Sequence, residues 1–153
     1  MSRAFVKEVE YEINDLPDRP VSTHPNYVTA EGLAAIERAL SHFEAANKAA
    51  IAKNDRTAMV ATQRELRYWI ARRSTARVVE PTADKSKVQF GATVTVRRDD
   101  GRSQTFRIVG EDEAEPARGT VSYVSPLARA VLDGTVGETV EVPGGAATIT
   151  EIK

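Results

Sequence analysis

Carboxylates hold hard cations, arginines hold phosphates and carboxylates, and histidines serve as ligands or proton carriers. The chemistry open to this chain therefore depends on where those side chains fall. There are two histidines, His24 and His42, in separate segments with no His or Asp at ligand spacing. The absence of cysteine excludes disulfides, thiolate zinc sites and a cysteine nucleophile. No Gly-x-Ser-x-Gly elbow, P-loop or dinucleotide fingerprint occurs, and Gly144-Gly145 reads as a turn rather than a phosphate cradle. Glu111-Asp112-Glu113 with Glu115 reads as a solvated acidic loop. Arg64, Arg67, Arg72, Arg73 and Arg77 form a basic stripe. A solvated helix face is the ordinary reading of such a stripe, and contact with nucleic acid or an acidic partner is the functional one. Asp55, in Asn54-Asp55-Arg56-Thr57-Ala58, stands just before a periodic segment and suits a helix N-cap.

The elements that position these residues follow from apolar spacing. Leu33, Ile36, Leu40 and Phe43 recur at steps of three and four, and Asn47 and Ala50 keep the register. Met59, Thr62, Leu66, Trp69, Arg73 and Ala76 repeat the steps in the next segment. This is a heptad seam, the pattern by which one helix lies along another. Thr29 is a good N-cap, and Glu31 suits the first turn. The pattern predicts helices over roughly 29–53 and 56–77, paired antiparallel, with strands almost entirely from residue 88 onward. There the period becomes two, through Val88, Phe90, Ala92, Val94 and Val96. Asp99-Asp100-Gly101 is a hairpin turn, and Phe106 and Ile108 lie on the return strand. Residues 120–124 form a third strand. Ser125-Pro126 opens a short helix, with Ser as cap and Pro at the first position, and Gly134 ends it. Residues 139–142 and 147–152 make a last hairpin. The predicted fold is α+β: an antiparallel helical hairpin, a coiled coil, followed by an antiparallel sheet domain with one short helix. The organisation read is an N-terminal arm at 1–27, the hairpin at 28–79, a linker at 80–87 and the C-terminal domain at 88–153. Phe5, Val6, Val9, Ile13 and Leu16 give the proline-punctuated arm residues that can pack.

Composition sets further bounds. With 153 residues, 41% hydrophobic and 28% charged, the chain has enough apolar material for a packed core. Lys plus Arg number 21 against 22 Asp plus Glu, a formal net charge of -1, which argues against a dedicated DNA-binding protein. No apolar run approaches the roughly 20 residues of a membrane span, and no apolar signal core opens the chain. A soluble cytoplasmic protein without a membrane partner is expected.

Several separated blocks resemble, in order and spacing, the C-terminal domain of the Gre transcription elongation factors (GreA/GreB). They are Phe90-Gly91-Ala92-Thr93-Val94-Thr95-Val96, Phe106-Arg107-Ile108-Val109-Gly110-Glu111-Asp112-Glu113-Ala114, Ser125-Pro126-Leu127-Ala128-Arg129-Ala130-Val131-Leu132, and Val136-Gly137-Glu138-Thr139-Val140-Glu141-Val142-Pro143-Gly144-Gly145. Val28-Thr29-x-x-Gly32 is similar to the start of the family's coiled coil, and Arg67-Tyr68 and Ala76-Arg77-Val78-Val79 to its return arm. The resemblance implies an FKBP-like sheet domain. It also implies a monomeric accessory factor without enzymatic activity of its own, bound to bacterial RNA polymerase at the secondary channel and its rim. It assigns the polymerase contact to Ser125, Pro126, Leu127 and Arg129, with Leu127 and Arg129 as exposed anchors. The alternative, Leu127 as core and Ser125 as a cap, stays open. It places the hairpin tip at Asn54, Asp55 and Arg56, within reach of the nascent RNA 3′ end, with the basic stripe nearby. In the family, an Asp and a Glu three residues on help hold a magnesium ion beside the polymerase's own metal. Here Asp55 stands in the first place and Ala58 in the second, and matching both ends leaves the hairpin shorter by a few turns. The expectation is no cofactor of its own, at most a shared magnesium at Asp55, and polymerase binding with weak or absent stimulation of transcript cleavage. The alternative is an FKBP-like-fold chaperone or RNA-binding module that does not act on polymerase. A prolyl isomerase is also suggested by the fold, but Phe90, Phe106 and Tyr123 are sparse lining for its pocket.

Overall fold

The computed structural model describes residues 16–153, so Phe5, Val6, Val9 and Ile13 of the arm lie outside the described residues. The chain forms two compact units. One takes Ile36–Thr75 with the segment up to Thr23, and the other takes His24–Ala35 with Ala76–Lys153.

The first unit is built on helix α1 (Ala30–Ala52, whose first residues belong to the second unit) and helix α2 (Arg56–Thr75). The helices run antiparallel, because Asn47 accepts from the Thr62 hydroxyl at 2.9 Å near the turn while Glu37 meets Arg73 at 3.1 Å far from it. Ile36 and Ala50 are buried, and Leu40, Phe43, Leu66 and Trp69 are half-buried along the seam. The Asn47–Thr62 pair is a polar rung, the kind of contact that fixes register at some expense of stability. Arg73, expected within the seam, is instead exposed and paired with Glu37. Its guanidinium cannot be buried without a full set of acceptors.

The turn between the helices is dictated by three residues. Asn54 adopts a left-handed conformation, φ 51°, which Asn tolerates better than most side chains. Its N–H donates to Ile51 O at 3.0 Å and that of Asp55 to Ala50 O at 2.9 Å, the paired bonds of a Schellman ending. Asp55 then starts α2: its carbonyl accepts from Met59 N–H at 2.9 Å, and its side-chain Oδ1 accepts from Ala58 N–H at 3.1 Å.

The second unit opens with β1 (Tyr27–Val28), which pairs in parallel with β2 (Arg77–Val78). This small sheet lies before residue 88, where few strands were expected. Two residues per strand are too short to show periodicity, and the bonds Arg77 N–H to Asn26 O and Val79 N–H to Val28 O, both 2.9 Å, join segments distant in sequence. The main sheet comprises β3 (Thr93–Arg98), β4 (Ser103–Val109), β5 (Thr120–Ser122), β6 (Thr139–Val142) and β7 (Gly145–Ile152), in the order β5-β4-β3-β7-β6. It is mixed and not wholly antiparallel, because β5 runs parallel to β4. The connection through residues 110–119, with a 3₁₀ turn at Pro116–Arg118, carries the chain back to Thr120 beside Arg107. A tight hairpin would have returned it antiparallel.

Alternation places Val94, Val96, Phe106, Ile108 and Ile149 fully inward, each contributing about 1.5–3 kcal/mol by burial. Helix α3 (Pro126–Val131) packs Ala128 and Val131 onto this core. Ser125 Oγ accepts from Ala128 N–H at 3.2 Å, and Pro126 occupies the first turn. The left-handed residue after α3 is Asp133, φ 64°, not Gly134. Gly134 is needed for space: a Cβ there would lie 2.6 Å from Ile149 Cδ1 and 2.8 Å from Val131 O.

Candidate functional site

Four places in the structure bear on function: the start of α1, the hairpin tip, helix α3 and the arginine face of α2. At the first, Thr29 caps α1 through its hydroxyl, which accepts from Gly32 N–H at 3.0 Å. The Glu113 carboxylate accepts from Thr29 N–H at 2.9 Å, from Gly110 N–H at 3.0 Å and from the Thr29 hydroxyl. In a capping box the third helical residue supplies a Glu that reaches back to the cap N–H. Here that position is Gly32, and the carboxylate arrives from residue 113. A Cβ at Gly32 would lie 2.1 Å from Glu113 Cδ, and one at Gly110 would lie 2.4 Å from Tyr27 O. Glu113, read as part of a solvated acidic loop, is therefore a structural tie. Nothing local in the sequence signals it, though the Thr29-x-x-Gly32 spacing with an absent Glu was a clue.

At the tip, Asn54, Asp55 and Arg56 are all exposed. Asp55 carries the only carboxylate among residues 53–58, flanked by Lys53 and Arg56, and one of its oxygens is engaged as the α2 cap. Hard cations need several oxygen ligands, so these residues by themselves do not fit a magnesium ion. Among the described residues, no group of three or more His, Asp or Glu side chains converges as a metal site.

Helix α3 divides its candidate residues. Pro126 and Arg129 are exposed, whereas Ser125 spends its hydroxyl on the cap. Leu127, expected as an exposed anchor, is half-buried against the sheet core, since a six-residue helix cannot cover the sheet with Ala128 and Val131 alone.

The basic stripe is largely spoken for. Arg64 Nε donates to Pro17 O at 2.7 Å, Arg67 Nε meets Asp18 at 2.8 Å, Arg73 meets Glu37, and Arg72 is 1% exposed. Arg19 lies 3.7 Å above the Tyr68 ring and meets Glu65 at 2.7 Å. Residues 17–19 thus lie along α2, a contact that apolar periodicity could not reveal because it is made of polar and aromatic groups. Elsewhere the aromatic rings counted as pocket lining are packed. Phe106 is core, and Phe90, Tyr123 and Tyr27 meet one another edge-on or tilted at centroid distances of 5.5–6.3 Å. The Tyr123 hydroxyl donates to Pro25 O.

Residues 83–153 match the family model "Transcription elongation factor, GreA/GreB, C-term". The chain is 33% identical over 152 residues to the transcription elongation factor GreB of Yersinia pestis, covering 84% of this chain and 88% of that relative. It is 43% identical over 79 residues to GreB of Neisseria meningitidis, where the match spans 50% of this chain and only 48% of the relative. Among solved structures, the GreA factor homolog 1 (Gfh1) of Thermus thermophilus covers 85% of this chain at 16% identity, with a TM-score of 0.41.

Proposed function

Given that the chain belongs to the GreA/GreB family of transcription elongation factors, we propose that it binds bacterial RNA polymerase at the secondary channel and modulates elongation without efficiently stimulating transcript cleavage. The factor is a monomer with no catalysis of its own. Any bond cleavage belongs to the polymerase, so the factor's contribution reduces to what its tip delivers there. The observation that carries the reading is the tip itself. A second metal in a phosphoryl-transfer site generates the attacking hydroxide and needs oxygen ligands to stay in place. This tip brings one carboxylate, half of it tied to Ala58 N–H, and an alanine where the family has its second acid. Arms shorter than the family's add to the deficit. Each missing helical residue withdraws the tip by about 1.5 Å, and misplacement by about 1 Å can cost roughly 10²-fold in rate.

Helix α3 supplies the docking element in this reading. Arg129 and Pro126 present an exposed cation and a rigid apolar edge, and Leu127 holds the helix on the sheet beneath them. With Phe106 in the core and Phe90, Tyr123 and Tyr27 packed on one another, these rings lend the isomerase reading no support.

The test uses a stalled, backtracked elongation complex with magnesium. The protein alone should leave the transcript uncut, and added in excess it should slow cleavage stimulated by a GreB that carries both acidic tip residues. Rapid cleavage by this protein that disappears in Asp55→Ala would overturn the proposal.

A further inference from the structure

The turn between β3 and β4 and the turn between β6 and β7 stand together at one end of the main sheet, where they line a polar cleft of about 540 Å³. Arg98 forms one wall. Its Nε and Nη2 donate to Gln104 Oε1 at 3.3 and 2.8 Å, and its Nη1 donates to Pro143 O at 2.6 Å. A guanidinium has five N–H donors, so one is left on each terminal nitrogen. Those two nitrogens are spaced to meet the two oxygens of one carboxylate. An amide and a peptide carbonyl thus fix Arg98 in place without neutralising it. The nearby Asp100 carboxylate is engaged by Arg102, whose N–H and Nε donate to it at 2.9 and 2.6 Å.

The surroundings keep the cation approachable. Gly144 holds a left-handed conformation, φ 94°, and a Cβ there would stand 3.3 Å from Arg98 Nη1. Its missing side chain therefore leaves space beside that nitrogen. Among the described residues, Ala146 gives the cleft its one apolar side chain, so a base or an apolar group finds little to pack on. Asp99 also lines the cleft, and its charge opposes an anion, most strongly one that carries two charges. That favours a singly charged carboxylate over a phosphate.

We propose that this cleft is a docking site for an acidic peptide segment of a partner protein, with one Asp or Glu carboxylate seated on Arg98. A clamp needed only to hold the two turns together would be served better by a glutamate at position 104, because a charged acceptor binds a guanidinium more tightly than an amide does. Gln104 fixes the guanidinium and leaves its charge to a ligand. None of the residues that make the cleft belongs to α3, so the inference stands independently of polymerase docking there.

The test titrates the isotope-labelled full chain at low salt with a glutamate peptide capped at both ends, and follows the Arg98 Nε–H and Gly144 N–H resonances by NMR. Both should shift saturably, and the matching glutamine peptide should leave them in place. Gln104→Glu keeps the side-chain shape and the clamp, so its melting temperature should equal or exceed that of the wild type. Its affinity for the glutamate peptide should fall about tenfold or more, the worth of a charge-assisted hydrogen bond. Arg97→Gln, next to Arg98 in the chain but outside the lining, makes the same change of net charge and should leave the affinity nearly unchanged. Asp99→Asn should raise it. No saturable shift in the wild type, undiminished binding by Gln104→Glu, or an equal loss in Arg97→Gln overturns the proposal. So does tighter binding of inorganic phosphate than of the peptide, which would mark a site for free anions.

Discussion

Replacing a helical glycine by alanine ordinarily stabilises a protein, by about 0.5–1 kcal/mol, because glycine loses the most backbone freedom on folding. Gly32 should do the opposite. Its Cβ would stand 2.1 Å from Cδ and 2.3 Å from Oε2 of Glu113, so the carboxylate must leave. Glu113 then abandons the N–H groups of Thr29, which is 1% exposed, and of buried Gly110. Each orphaned buried donor costs about 1–3 kcal/mol. Set against the helix-propensity gain, Gly32→Ala should destabilise by roughly 1–5 kcal/mol. The assay is denaturant unfolding of a double-mutant cycle with Glu113→Ala. In that background the carboxylate is already gone, and Gly32→Ala should become stabilising by up to about 1 kcal/mol. A change of sign between the two backgrounds is the prediction. Stabilisation by Gly32→Ala in the otherwise wild-type chain, or the same effect in both backgrounds, would refute the capping argument.

Asp55→Ala should cost about 1 kcal/mol of stability through the lost cap, while Asp55→Asn should cost little, and urea titration of both separates capping from any charge effect. Gly134→Ala should destabilise by about 1–3 kcal/mol, read from the same unfolding curves, because its Cβ would overlap Ile149 Cδ1 and a backbone oxygen. The Asp100 carboxyl is held below its ordinary range by the Arg102 backbone N–H first and the Arg102 side chain second. A depressed carboxyl stabilises the fold above its unfolded pKa and loses that contribution as pH falls through the folded one. NMR titration should therefore place its midpoint below that of a free Asp, and Arg102→Ala should raise it toward the ordinary value.

The local elements were legible because their causes are local. Heptad spacing located both helices to within a few residues of Ala30–Ala52 and Arg56–Thr75, and alternation located β3 and β4. Ser125 and Asp55 announced their caps by type and position. What escaped were partnerships between distant residues. The Glu113 carboxylate serves a helix start more than eighty residues earlier in the chain, and no periodicity encodes that. The arginines of α2 looked like an open basic stripe, because spacing shows which residues share a face but not what lies on it. Arg19 and Asp18 lie on it. The parallel pairing of β5 likewise depends on where the 110–119 connection leads, which strand alternation does not report.

Docking on RNA polymerase through α3 is measured by equilibrium binding to core RNA polymerase. Labelled wild-type protein should bind saturably. Arg129→Glu should weaken binding by about tenfold or more, the range of an interface anchor, while leaving the melting temperature nearly unchanged because the side chain is exposed. Undiminished binding by Arg129→Glu would remove Arg129 from the contact, and no binding by the wild type would contradict the function itself.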